Sequence, residues 1–90
     1  METALTKHID ENLVVDTSSD LIYIGTLKQV DERWIALADV DVHDSNETAT
    51  SKELYVMESR ATGVKANRGL VYINMSFIVS FSPLDDVKHY

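Results

Sequence analysis

The sequence predicts a mainly β chain: a strongly bent, five-stranded small barrel with a short N-terminal helix and an extra helix within residues 45–69. Three observations carry this. Five short runs rich in Val, Ile, Tyr, Phe and Thr are separated mostly by tight polar turns. Gly25 sits inside one run, and the next run changes its apolar parity near Ala38 and Asp39; both mark strong bending. The one long polar excursion carries helix start and stop signals.

The elements follow in order. Thr3 can cap a helix over 3–12, with Leu5, His8, Ile9 and Asn12 near one face. "LVVD" (13–16) is a short strand, and "TSSD" (17–20) is turn chemistry, because small polar side chains bond their own backbone. "LIYIGTLKQV" (21–30) is the second strand. "DER" (31–33) makes a tight turn into "WIALADVDVHD" (34–44). There Ile35 and Leu37 are odd-numbered apolar positions, whereas Val40 and Val42 are even, so a bulge is expected between them. Thr50 and Glu53 fit a capping box that opens a helix of about 12 residues, ended by Gly63. A hairpin strand through "ELYVME" is the rival, since Tyr55 and Val56 favour strand. "KANRG" (65–69) is a turn, "LVYINM" (70–75) and "FIVSFS" (77–82) are strands, and Pro83 stops the last.

Ninety residues make one domain, 1–90. There is no cysteine, which removes disulfides, thiolate zinc sites and cysteine nucleophiles. The N-terminus lacks the apolar run of a signal peptide, and no window has the roughly 18 apolar residues that span a bilayer. The expectation is a cytoplasmic protein with no membrane contact. A net charge of −7 argues against a general nucleic-acid coat, because such binding is driven by Lys and Arg on phosphates. A basic stretch without acids, Arg60, Lys65 and Arg68, remains a candidate for phosphates or for an acidic neighbour. For catalysis, the three histidines are scattered, no serine stands in a nucleophile elbow and no glycine-rich loop cradles phosphate. No enzyme, cofactor or metal is expected. Asp39, Asp41 and His43 alternate along one strand face, as a metal site would require, but they read better as the wet side of a curved strand.

The first half resembles the first motif of Sm and Sm-like (LSm/Hfq) proteins: a short helix, a strand, a turn, then G-x-L-x-x-x-D, met by Gly25, Leu27 and Asp31. Asp39–Val40 stands at that family's Asp-Ala, and "YINMSFIVSFSP" resembles its second motif. The resemblance divides the chain into the helix (3–12), first motif (13–44), insertion (45–69), second motif (70–83) and tail (84–90). It also has departures. Asp20 replaces a turn glycine, Arg33–Trp34 replaces the uridine-contacting Met-Asn, and Asn74–Met75 replaces Arg-Gly. The resemblance implies a homo-oligomeric ring of about five to seven subunits, joined by pairing the fourth strand with the fifth of the next copy. Leu70, Tyr72, Phe77 and Val79 are then interface residues. It further implies single-stranded or small RNA around the pore, contacted by Arg33, Trp34, Asn74 and Met75, with Trp34 as a stacking plane. The alternative is a structural or protein-interaction ring that kept the fold and lost the RNA site. Trp34 is then a core or interface aromatic.

Overall fold

The computed structural model describes residues 4–47 and 50–88. Five strands form one antiparallel sheet: β1 (Asn12–Thr17), β2 (Leu21–Val30), β3 (Trp34–Asp44), β4 (Arg68–Asn74) and β5 (Ile78–Pro83). Their order across the sheet is β4-β3-β2-β1-β5. The last two strands in sequence are therefore the two edges. One helix, α1 (Lys52–Thr62), lies in the long excursion between β3 and β4.

The expected bend lies where the parity shift places it. The pairing of β2 with β3 slips between Ile24 and Thr26, where Ile24 faces Asp41 and Thr26 faces Ala38. Asp39 takes φ 51°, a left-handed conformation that Asp tolerates better than most residues. Gly25 lies opposite this bulge. A Cβ there would meet Val40 Cγ2 at 3.0 Å, the Ala38 carbonyl oxygen at 3.1 Å and Val40 Cα at 3.2 Å. Glycine is what lets the two backbones close. Asp39 thus serves the bend through its backbone. No hydrogen bond to its carboxylate is found among the described residues.

The bend gives the sheet two apolar faces. Leu5, Leu13, Val15, Leu27, Ile35, Leu37, Val40 and Ile73 fill the inside. On the outer face, Val56 of α1 packs with Val14, Ile22, Ile24 and Leu84. β1 and β2 are thus buried on both sides, which is why they read as nearly continuous apolar runs rather than alternating ones.

α1 settles the choice between helix and hairpin. Its N-cap is Ser51, one residue after the expected Thr50, with the side chain accepting from the Leu54 amide at 3.2 Å. Gly63 closes it at φ 93°. Lys52 staples the helix to the β1–β2 turn. Its Nζ donates to Asp16 Oδ1 at 2.6 Å and to the Ser19 carbonyl at 2.8 Å.

The helix expected over 3–12 is much shorter. The chain makes a 3-10 turn over Ala4–His8, and a left-handed Asp10 (φ 73°) ends it. Asn12, expected on the helix, begins β1. Strand pairing outweighs a weak apolar stripe. Thr3, the expected cap, lies outside the described residues. Two strand limits also move. Arg68 and Gly69, expected in a turn, already belong to β4, and Met75–Phe77 is a 3-10 turn between the edges.

Candidate functional site

The two tight loops expected to face a pore are joined in the structure. Trp34 pairs with Asn74 in the β3–β4 register, and the Met75 amide donates to the Arg33 carbonyl at 2.7 Å. Arg33, Trp34, Asn74 and Met75 are therefore one locus.

Within that locus, most polar groups are already engaged. Asp31 Oδ1 accepts from the amides of Arg33 at 2.9 Å and Trp34 at 2.8 Å. These two amides, Arg33 first, hold the Asp31 carboxyl below its ordinary pKa. Asn74 Oδ1 accepts from the Ser76 amide and from Ser76 Oγ, both at 3.0 Å, and so caps its own turn. Met75 packs against the inner core. That leaves Arg33 and Trp34 facing outward. Trp34 is 43% exposed, and with Tyr72, Asn74 and Phe77 it lines an open cleft of about 330 Å³. A second open cleft beside Trp34 is lined by Gln29, Asp31 and Tyr72. Gln29 of the second cleft and Tyr23 of the first escaped the sequence reading, since only the fold brings β2 beside Trp34.

Three of the interface residues named from the sequence, Leu70, Tyr72 and Val79, sit on the edge strands, and Phe77, expected to open the last strand, lies in the 3-10 turn between them. Leu70 and Tyr72 of β4 are 54% and 57% exposed; Phe77 is 57% and Val79 of β5 is 65%. Among the described residues these two strands have no neighbour on their outer sides.

The basic trio is spread along the insertion. Arg60, in the last turn of α1, donates from Nε to the Asp85 carbonyl at 3.2 Å. Lys65 lies in the exposed loop after it, and Arg68 opens β4 with Nη1 on the Asn67 carbonyl.

The Asp39, Asp41 and His43 row is not a bare wet face. Asn67 reaches across it. Its Oδ1 accepts from the Val42 amide, and its Nδ2 donates to Asp41 Oδ1 and to the Val42 carbonyl. This side chain prolongs the β3–β4 ladder beyond the start of β4. His43 donates from Nε2 to the Thr50 carbonyl at 3.1 Å and stacks on Tyr55, ring centres 4.1 Å apart. The Tyr55 hydroxyl is sealed from solvent and makes no close hydrogen bond. Burial above all, with the Asp41 carboxylate nearby, keeps it protonated far above the usual tyrosine range. Among the described residues no group of three or more His, Asp or Glu is placed to hold a metal. No helix there is long and apolar enough to cross a membrane.

A five-stranded, strongly bent antiparallel sheet with this strand order and two joined loops has the Sm-like fold. The structure is similar to a solved Sm protein of Pyrococcus abyssii in complex with a uridine heptamer. The TM-score is 0.61 at 17% identity, covering 91% of this chain and 99% of that one. It is also similar to a chain of the NatC complex bound to CoA, with a TM-score of 0.57, 20% identity, and 90% and 84% of the two chains covered. A chain of the NatC complex bound to Gag peptide and CoA follows, with a TM-score of 0.56, 19% identity, and 86% of each chain covered. No family model matches the sequence, and no curated protein sequence matches it.

Proposed function

We propose that this chain is an Sm-like assembly subunit, joining protein neighbours through the free edges of its sheet. The observation that carries this is the apolar character of both edges. Leu70, Tyr72 and Val79 lie exposed on β4 and β5, with Phe77 between them. An edge of this kind invites strand pairing, and soluble proteins usually blunt it with Lys or Pro. Arg68 stands only at the start of β4, and Pro83 only at the end of β5. A closed head-to-tail ring pairs every such edge. The ring of about five to seven copies expected from the family resemblance satisfies that need. Similarity to chains of the NatC complex supports an Sm-like fold serving within a protein assembly.

Hydrogen exchange tests this reading. The outward amides of β4 and β5 are expected to be protected at high micromolar concentration and to lose that protection on dilution. Fast exchange at every concentration contradicts edge pairing.

A second reading, RNA binding at the joined loops, has one observation in its favour: the exposed Trp34 and Tyr72 beside the same cleft, on a fold whose solved relative carries a uridine heptamer. Against it stand the net charge of −7, the Asn74 amide oxygen engaged by Ser76, and Met75 turned to the core. Charge repeated around a ring repels phosphate more strongly still. The expected result is that neither oligo(U) nor oligo(A) binds at low salt, where electrostatic attraction is greatest. Binding by the natural chain that is lost in Trp34→Ala overturns this and establishes the RNA reading.

A further inference from the structure

We propose that Lys65 and Arg68 of one copy clasp Asp85 and Asp86 of the next, so that the edges select a second copy of this chain in one register. The inference rests on the edge-pairing reading and deepens it by naming the partner and what recognises it.

Geometry comes first. Every neighbouring pair in this sheet is antiparallel. Continuing that pattern across copies lays β4 of one chain against β5 of another, running in opposite directions. The exposed apolar stripes meet when Tyr72 faces Val79. Counting outward from that pair, Leu70 comes opposite Phe81, which packs toward its own inner core, and Arg68 comes opposite Pro83. Beyond this point the basic loop of one copy, with Lys65, runs beside the turn of the other, with Asp85 and Asp86. The start of β4 is basic and the end of β5 leads into two acids, so antiparallel pairing brings opposite charges together. Parallel pairing, or another protein without the same pattern, does not.

Charge availability comes second. The ion pairs among the described residues are Lys28–Asp10 and Lys52–Asp16, and His8 Nδ1 lies 3.2 Å from the Glu11 carboxylate. Lys65, Arg68, Asp85 and Asp86 are in none of them, and all four are exposed. Asp41, next to the Val40 that pairs with Arg68 at the start of β4, accepts from Asn67 instead. Local bonds also hold Arg68 and the turn carrying Asp85 and Asp86 in place without consuming their charge. Arg68 uses Nη1 on the Asn67 carbonyl, and guanidinium has further donors for a carboxylate. Arg60 fixes the turn of Leu84–Asp86 through the Asp85 backbone carbonyl, not its carboxylate.

Complementary charge across an interface mainly selects partner and register, and like charges brought face to face oppose association strongly. The test compares dissociation constants by sedimentation at low salt for three chains against the natural one: Lys65→Glu/Arg68→Glu, Asp85→Lys/Asp86→Lys, and the chain carrying all four changes. Each two-site reversal is expected to weaken association by roughly tenfold or more, and the four-site reversal to recover most of the loss. The two reversals move net charge in opposite directions. If overall repulsion governed assembly, the Asp→Lys chain would associate more tightly than the natural one; that result overturns the clasp. Unchanged constants, or a four-site chain no tighter than the two-site ones, also overturn it while edge pairing stands. A natural chain that stays a single copy at every concentration removes both.

Discussion

A chain carrying Tyr72→Lys and Val79→Lys is expected to sediment as a folded monomer under conditions where the natural chain assembles. Tyr72 and Val79 are 57% and 65% exposed in the single chain, so the isolated fold does not depend on them. In the proposed edge pairing, their apolar surface leaves water as β4 meets β5 of a neighbour. Burying a side chain of this size contributes about 1.5–3 kcal/mol. Replacing a central aromatic anchor at an interface costs about 2 kcal/mol or more, roughly thirtyfold in affinity. Lysine adds the cost of desolvating a charge, and it is the residue natural edges use to prevent pairing. In a closed ring every interface carries both changes, so the losses compound. Far-UV circular dichroism should remain that of the natural chain. Assembly that survives both lysines would mean the edges are not the joining surfaces.

The second large effect is on stability. Gly25→Ala is expected to destabilise the chain by about 1–3 kcal/mol, the usual cost of forcing extra volume into a packed site. Two of the three atoms that the new methyl would meet, the Ala38 carbonyl oxygen and Val40 Cα, are backbone. They cannot rotate away, so β2 and β3 must part at the bulge. Trimming the one flexible neighbour should therefore fail to rescue: Val40→Ala in the Gly25→Ala background leaves both backbone contacts and removes core volume besides. Urea denaturation measures this as a fall in midpoint with little change in slope. An unchanged midpoint would show that the bend does not require glycine at 25.

Both effects trace to features of unequal legibility in the sequence. The bend was readable because it left two local marks, Gly25 and the switch from Ile35 and Leu37 to Val40 and Val42. The helix in the insertion was readable from its ends: a small hydroxyl residue before it and Gly63 after it. The cap was misplaced by one residue because Thr50 and Ser51 offer the same chemistry. The N-terminal helix was overextended because a stripe of Leu5, His8 and Ile9 says nothing about β1 claiming Asn12. At the joined loops the sequence supplied Arg33, Trp34, Asn74 and Met75 but not their employment. Nothing local reveals that Asn74 will cap Ser76, or that Met75 will turn inward. The stack of His43 on Tyr55 lies beyond any local signal, since it needs α1 to fold back over β3. The Asn67 bridge to β3 is invisible for the same reason.

The same contrast separates the two functional readings. The resemblance carries RNA as a family habit, whereas the most exposed apolar side chains here are those of the edge strands and the turn between them, and Asp31 and Asn74 bond within their own loops. A fold that bends a small sheet this strongly leaves β4 and β5 bare in the single chain, and that surface calls for a partner strand.

The most direct measurement is the solution mass of the natural, RNA-free chain across the micromolar range, by light scattering or sedimentation. A discrete assembly of several copies that dissociates only on dilution is the expected result. A single-copy mass throughout that range would contradict it.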